Sequence, residues 1–362
     1  MRAIDLFCGA GGFSHGAHLA GIDVISAYDI DPILTSSFQH NFPGTSLNLV
    51  DLSQISGAEI LTSANGPIDC IFGGPPCQGF SSIGKRDVRD PRRKLIRHFF
   101  RIVSEASPDF FVMENVLGLA QSDARNSLLE ALKLVSDKYE ILGPIVLDAS
   151  NFGAATSRKR VFLIGQRTPG YITLSSSMFK NATPATVEDA ISDLMTASYI
   201  YTSADGFDTW ELRPGSLIPE YARRLRSENL IFTSNQRTTH SPAVEKRFSA
   251  LKQGEIDRIG RHPRLAWAGQ CPTLRAGTGS DRGSFQSVRP VHPSEPRVIT
   301  VREAARLQGF PDCHRFHPTL WHSFRMIGNS VSPFVAKAIF EALKSATRVN
   351  TDRSADDSRA TA

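Results

Sequence analysis

Over the first 167 residues, short apolar runs alternate with stretches whose apolar positions recur every three or four residues. The runs at 3–7, 23–28, 68–72, 109–113, 141–147 and 161–165 predict strands, each followed by a glycine, an acidic residue or both. Between them, 13–20, 32–40, 92–106 and 123–137 have helical spacing. Alternating strands and helices imply an α/β fold with a mostly parallel sheet covered on both faces, and such sheets bind ligands at the carboxyl ends of their strands. The pattern dissolves after Thr168. Residues 170–295 are rich in Ser, Thr, Arg, Gly and Pro, with short apolar runs such as 230–232, which predicts a second, smaller, loop-rich lobe. Helical spacing returns at 301–308 and 333–345, and 348–362 read as a polar, fraying tail.

Composition narrows the class. With 41% apolar and 21% charged residues over 362 positions, the chain is globular rather than disordered or fibrous. No apolar run approaches the roughly 18 residues of a spanning helix, and Asp5 and Gly9 interrupt any secretory signal, so a soluble cytosolic protein is expected. The 5 cysteines (Cys8, Cys70, Cys77, Cys271, Cys313) are odd in number and widely spaced, which disfavours disulfides and zinc and leaves a single working thiolate as the alternative. The net charge of +5 is unevenly spread: 16 lysines and arginines face 7 acids between Arg213 and Arg302, and 14 of the 16 are arginine. Charge alone fits a phosphate-rich partner or a solvated basic face equally well.

Four stretches carry candidate chemistry. Asp5-Leu6-Phe7-Cys8-Gly9-Ala10-Gly11-Gly12-Phe13 runs from a strand through glycines into a helix, which suits either backbone approach to a nucleotide-like cofactor or a tight turn. Asp29 ends the second strand about twenty residues on, where a ribose would need an acceptor, and Asp51 follows the next apolar stretch, where an adenine amino group could donate; either acid could instead cap a helix. Gly73-Gly74-Pro75-Pro76-Cys77-Gln78-Gly79-Phe80-Ser81 fixes a lone cysteine in a rigid turn, a setting for covalent catalysis more than for core packing. A loop rich in lysine and arginine follows it, at 82–93. Met113-Glu114-Asn115-Val116 closes an apolar strand with a poorly solvated glutamate that could hold a proton. Adjacent parallel strands would bring Cys77 and Glu114 to one sheet edge.

Together with Arg158-Lys159-Arg160 and Gly328-Asn329-Ser330-Val331, these segments resemble, in order and spacing, the motifs of the DNA (cytosine-5) methyltransferases of bacterial or phage type. The resemblance spans Ile4 to about Leu343. It implies a Rossmann-like catalytic domain over 1–169, a target-recognition domain over 170–290, a return to the catalytic domain over 291–347 with its last helix beside the first strand, and a disordered tail over 348–362. The cofactor it implies is S-adenosylmethionine, held by Phe7, Gly9, Gly12, Asp29, Ile30, Asp51, Leu52, Pro76, Leu95, Asn329 and Val331. Cys77 would attack C6 of a flipped-out cytosine, Glu114 would serve N3 and the exocyclic amine, and Arg160 would hold O2. Arg158 would support that loop or the DNA backbone. Double-stranded DNA is the implied partner, with contacts expected from Gln78, Ser81, Arg86, Arg223, Arg224, Arg226, Arg237, Arg261, Arg264 and Arg275. The stretches 273–275 and 277–283 are expected near the flipped base, and Arg302, Glu303, Arg306 and Gly309 match the motif that supports the recognition lobe.

The resemblance further implies a monomer without metal in the bacterial cytosol, paired with a restriction endonuclease of the same site. In one place the chain departs from the family: Ala155 and Thr156 stand where members usually carry Pro-Gln. A tRNA cytosine-5 methyltransferase is the nearest rival reading, disfavoured by Gly79 and Ser81 where that branch tends to have Pro and Thr. An inactive DNA-binding homologue and a dinucleotide oxidoreductase are the others, disfavoured by the intact Cys77 and Glu114 and by the thiol-bearing basic loop.

Overall fold

The computed structural model describes residues 1–76, 94–120, 122–170, 173–215, 218–276 and 288–360. Cys77, Gln78, Ser81, Arg86, the basic stretch up to Arg93, and 277–283 lie outside the described residues.

Strands β1 (Arg2–Leu6), β2 (Asp23–Asp29), β3 (Ser46–Leu49), β4 (Cys70–Gly73), β5 (Phe110–Asn115), β6 (Tyr139–Asp148), β7 (Thr156–Ser157) and β8 (Lys159–Arg167) alternate with α1 (Gly12–Leu19), α2 (Phe38–Asn41), α3 (Gly57–Ser63), α4 (Leu95–Ala106) and α5 (Ser122–Leu132). Seven strands form one sheet in the order β3-β2-β1-β4-β5-β8-β6. All neighbours from β3 to β5 are parallel, and β8 is antiparallel to both β5 and β6. Side chains of the central strands alternate between two cores. Ile4, Ile71, Phe111 and Leu163 pack with α3, α4 and α5; Ala3, Phe72, Val112 and Ile164 pack on the opposite face. Burial on both sides is why these strands read as unbroken apolar runs. The second face is covered by α1 and by α11 (Pro333–Ala360), whose Phe340 meets Phe13 and Phe72 at centroid distances of 5.7 and 4.9 Å.

The second lobe carries β9 (Ser198–Thr202), β10 (Asp208–Glu211) and β11 (Ile231–Thr233) as an antiparallel sheet, with α6 (Val187–Ile191), α7 (Glu220–Leu225) and α8 (Pro242–Ser249). Strand β12 (Cys271–Pro272) pairs in parallel with β7 of the first lobe. A third core joins Val187, Leu212, Phe232 and Leu274 to α9 (Val301–Gln308) and α10 (Leu320–Asn329). Buried arginines of α9 tie this core together. Arg302 donates to the carbonyls of Thr233, Pro311 and His314, and Arg306 pairs with Asp312 and Asp193, each at 2.7 Å.

Several elements differ from the sequence expectation. Residues 32–37 form turns, with only Phe38–Asn41 helical, because the Asp31 carboxylate takes the N–H groups of Ile33 and Leu34 and the Thr35 hydroxyl donates back to the Asp31 carbonyl. Such local bonds compete with a helix. Helix α5 ends at Leu132 rather than 137. Helix α3 is an element the apolar pattern missed; its Ser56 and Glu59 form a reciprocal capping box. Helix α11 continues to Ala360, past the expected frayed tail from 348. No Gly or Pro interrupts 348–360, and extending a nucleated helix is far easier than starting one.

Candidate active site

Every parallel strand ends at the same edge of the sheet, and the candidate residues collect there. Phe7, just past β1, has φ +64°, a strained conformation for a residue with a side chain, and starts the glycine turn. At Gly9, φ is +49° and a Cβ would meet nothing within 4 Å, so the backbone borders open space. At Gly12 the opposite holds. A Cβ there would lie 2.4 Å from the Val331 carbonyl, so only glycine lets the 330–331 turn approach. Asp29, closing β2, accepts from the N–H of Gly9 (2.8 Å), Ile30 (2.7 Å) and Asp31 (2.9 Å). Burial still pushes its carboxyl above the usual range, against those three bonds. Ile30 is 65% exposed beside it. After β3 come exposed Asp51, held below the usual carboxylate value by bonds from Ser53, and buried Leu52.

Leu95 opens α4 half-buried. Asn329 ends α10 and Val331 sits on the turn that leads from it into α11, a turn set by Gln308. Its side-chain amide donates to the carbonyls of Ile327 (3.3 Å) and Ser330 (3.0 Å). The sequence reading missed Gln308, although it lies in the same motif as Arg306.

The neighbouring strands β4 and β5 build the second half of the site. Asn115 Nδ2 donates to the Pro75 carbonyl at 3.1 Å, and a Cβ on Gly74 would lie 3.1 Å from Glu114 Oε2. The residues leading into position 77 are therefore fixed against the glutamate, as the parallel-strand argument requires. Glu114 is 7% exposed and faces Arg160 Nε at 3.0 Å. Burial raises its carboxyl above the usual glutamate value despite the opposing pull of Arg160 and Arg158. A proton is thus easier to keep at this position than on a solvated glutamate.

Arg158 acts from behind. It is 2% exposed and donates to the carbonyls of Leu274 (3.0 Å) and Gly328 (2.7 Å), while its own N–H is held by Asp148 (2.9 Å). Its guanidinium is thus turned inward onto two backbone carbonyls rather than outward to solvent. Thr156 Oγ1 donates to the Cys271 carbonyl at 2.9 Å. The β7–β12 pairing brings that carbonyl within reach of the short hydroxyl.

The arginine excess of the second lobe is consumed inside it only in part. Arg226 pairs with Asp193 at 2.9 Å, and Arg264 donates to the carbonyls of Phe248 and Pro293, so both guanidiniums, expected at DNA, already have partners within the protein. Arg223 and Arg224 share Glu220 on an exposed surface, and Arg237 faces Glu295 at 3.4 Å. Arg261 and Arg275 are exposed and form no ion pair among the described residues. Sequence alone could not separate these fates, since each depends on carbonyls and acids brought close by the fold.

Asp5 lies under the glycine turn, 1% exposed, and takes the Ser14 hydroxyl at 2.6 Å. Burial pushes its carboxyl from 3.8 to about 8. The native chain therefore keeps a proton that the unfolded chain releases, and the stability this confers is lost as pH rises from about 4 towards 8. Asp5→Asn is expected to flatten that dependence by up to ~1.4 kcal/mol per pH unit. Urea unfolding of both proteins across this range checks it; parallel curves would contradict it.

The family profile described as C-5 cytosine-specific DNA methylase matches residues 1–345. The type II methyltransferase M.XorII of Xanthomonas oryzae pv. oryzae is 38% identical over 93% of this chain and 82% of its own length. M.DdeI of Desulfomicrobium norvegicum, also a type II methyltransferase, is 31% identical over 94% and 88%. Among solved structures, a proposed DNA modification methyltransferase encoded within an E. coli prophage superposes with a TM-score of 0.82 at 40% identity, covering 96% of this chain and 99% of that one. Spodoptera frugiperda DNMT2 shares the fold at a TM-score of 0.62 and 18% identity, over 94% and 99%.

Proposed function

The chain belongs to the C-5 cytosine-specific DNA methylase family and is a DNA cytosine-5 methyltransferase; from that premise we propose how its residues perform the reaction and where it acts. The observation that carries the reading is the placement of Glu114: buried, paired with Arg160, and in contact with the Gly74-Pro75 segment that leads into Cys77.

The target cytosine is stacked in duplex DNA, so it must leave the helix before its ring can be attacked. The Cys77 thiolate forms a bond to C6. Glu114 delivers a proton at N3, so the electron pair released by that attack reaches C5 as an enamine. Arg160 orients the ring at O2 and holds Glu114 in place. Loss of the C5 proton to a base and cleavage of the Cys77–C6 bond restore the C5–C6 double bond, and return of the N3 proton to Glu114 leaves the neutral aromatic ring and regenerates the acid. Arg158 and Asn115 are positioning residues, since each reaches the reacting groups only through backbone it holds.

The crevice fits S-adenosylmethionine: open space over Gly9, a carboxylate at Asp29 with acceptor capacity beyond its three bonds, an exposed isoleucine at 30 and an exposed acid at 51. When bound, that cofactor supplies the electrophilic methyl group that C5 takes. Phe7, Ile30 and Leu52 would hold its adenine, Asp51 its amino group and Asp29 its ribose, with Gly9, Gly12, Pro76, Leu95, Asn329 and Val331 around the remainder.

The lobe over 170–290 recognises the target. As its type II relatives suggest, the protein works in a restriction-modification pair, as a monomer in the bacterial cytosol beside an endonuclease of the same specificity. Bisulfite sequencing of DNA from cells expressing the protein should reveal one cytosine context that is protected throughout. Protection of no context would refute the assignment, and labelled methyl incorporation into tRNA instead of DNA would transfer it to the rival substrate.

A further inference from the structure

The chain from 254 to 264 doubles back on itself. Gly254 N–H donates to the Arg264 carbonyl (2.9 Å), Arg264 N–H to Glu255 (2.7 Å) and Asp257 N–H to His262 (2.9 Å). Asp257, 1% exposed, braces the tip from within. Its carboxylate accepts from Gly260 N–H (2.7 Å) and Ile259 N–H (3.4 Å) and pairs with Arg247 at 2.9 Å, and its carbonyl takes the N–H of Arg261 (2.8 Å). His262 is fixed in turn by the Arg289 carbonyl at 2.7 Å and by the ring of Phe248.

This braced turn presents Ile256 at 60% and Ile259 at 68% exposure, the latter the most exposed large apolar side chain among the described residues. Neither side chain gains the burial that would make it useful to the fold, so the rigidity serves some other contact. A rigid display of this kind lowers the ordering cost of binding.

The chemistry around the turn identifies the contact. Arg258 and Arg261 flank Ile259, are exposed, and form no ion pair among the described residues. The base of the turn is continuous with the active site. Leu265 N–H donates to the Val291 carbonyl, β12 pairs with β7 just ahead of Arg158, and Leu274 accepts from Arg158 itself. We infer that the turn at 256–261 reads the target sequence: Ile256 and Ile259 make apolar contact with base edges in the major groove of the duplex, and Arg258 and Arg261 neutralise the phosphates on either side. Arginine neutralisation fixes the register, and apolar contact with base edges, thymine methyl groups among them, discriminates sequence.

The inference rests on the DNA methyltransferase reading and is tested separately from it. Two variants of the full-length protein, Ile256→Ser/Ile259→Ser and Arg258→Gln/Arg261→Gln, are compared with wild type. The kcat/KM is measured on a duplex carrying the target found by bisulfite sequencing and on one with a single pair of that target changed, over a range of salt. The serine variant should lose about ten-fold on the target and less than about two-fold on the altered duplex, with an unchanged thermal midpoint and salt slope. The glutamine variant should lose equally on both and show a salt slope lower by about two. A serine variant that keeps wild-type discrimination, or loses equally on both duplexes, would overturn the inference while wild-type activity leaves the enzymatic reading intact. A wild-type protein that methylates neither duplex would bring down both.

Discussion

Glu114→Gln is expected to lower kcat by about a thousand-fold with little change in KM for DNA, because the amide keeps the shape of the carboxyl but cannot deliver a proton to the ring. General acid catalysis is worth about 10²–10⁴ in such steps. Burial sets the direction of the pH dependence: a raised carboxyl pKa keeps the acid form present to higher pH, so wild-type activity should fall on the alkaline side as Glu114 ionises. The Gln variant should lack that descending limb. Its fold should hold, because the substitution removes a buried charge while Arg160 retains its bond to the Lys159 carbonyl at 2.8 Å. Single-turnover methyl transfer across pH, with thermal unfolding as control, makes the comparison; a variant retaining a third or more of wild-type kcat (about) would remove Glu114 from the chemistry.

Arg158→Met should act differently, on stability and on binding together. Methionine fills the space but leaves the Leu274 and Gly328 carbonyls without their donor in a region closed to water. Each unsatisfied buried acceptor costs roughly 1–3 kcal/mol, so a loss of about 3 kcal/mol is expected in urea unfolding. The two carbonyls precede Arg275 on one side and Asn329 on the other, so the second lobe and the proposed cofactor turn loosen at once. KM for DNA and for S-adenosylmethionine should rise together, by about ten-fold each. Lysine at 158 should restore only part of this, because an ammonium cannot fork onto two carbonyls. Stability within about 0.5 kcal/mol of wild type would show that the guanidinium is not the clamp between lobes.

How much of this could be read before the fold was known follows from how each feature is encoded. Strands buried on both faces announce themselves as apolar runs, so β1, β2, β4, β5 and β8 were legible, as was the edge at which the parallel strands end; β6, at the margin of the sheet and mostly half-buried or exposed, was legible only because its residues at 141–147 are largely apolar. Strand β3, with the sequence Ser-Leu-Asn-Leu, is short and half polar and gave only an apolar stretch. The capping box of α3 was present at Ser56 and Glu59 and went unused, whereas the turns at 32–37 depend on where the Asp31 carboxylate points, which spacing does not encode.

In the site, the order of motifs located Glu114 and Arg160 next to the approach to Cys77. Charge counting could not tell Arg264, spent on two carbonyls, from Arg261, which projects into solvent three residues earlier. Gln308 was hidden for the same reason, since its partners at Ile327 and Ser330 lie in a different helix and turn.

The most direct measurement is covalent trapping. A duplex carrying 5-fluorocytosine at the target position, incubated with the protein and S-adenosylmethionine, cannot release the ring once methylated, because fluorine replaces the proton that must leave. The account predicts an irreversible one-to-one complex whose peptide map places the nucleotide on Cys77, and no complex with Cys77→Ser. A target duplex that is methylated yet never becomes linked, or becomes linked at another residue, would contradict it.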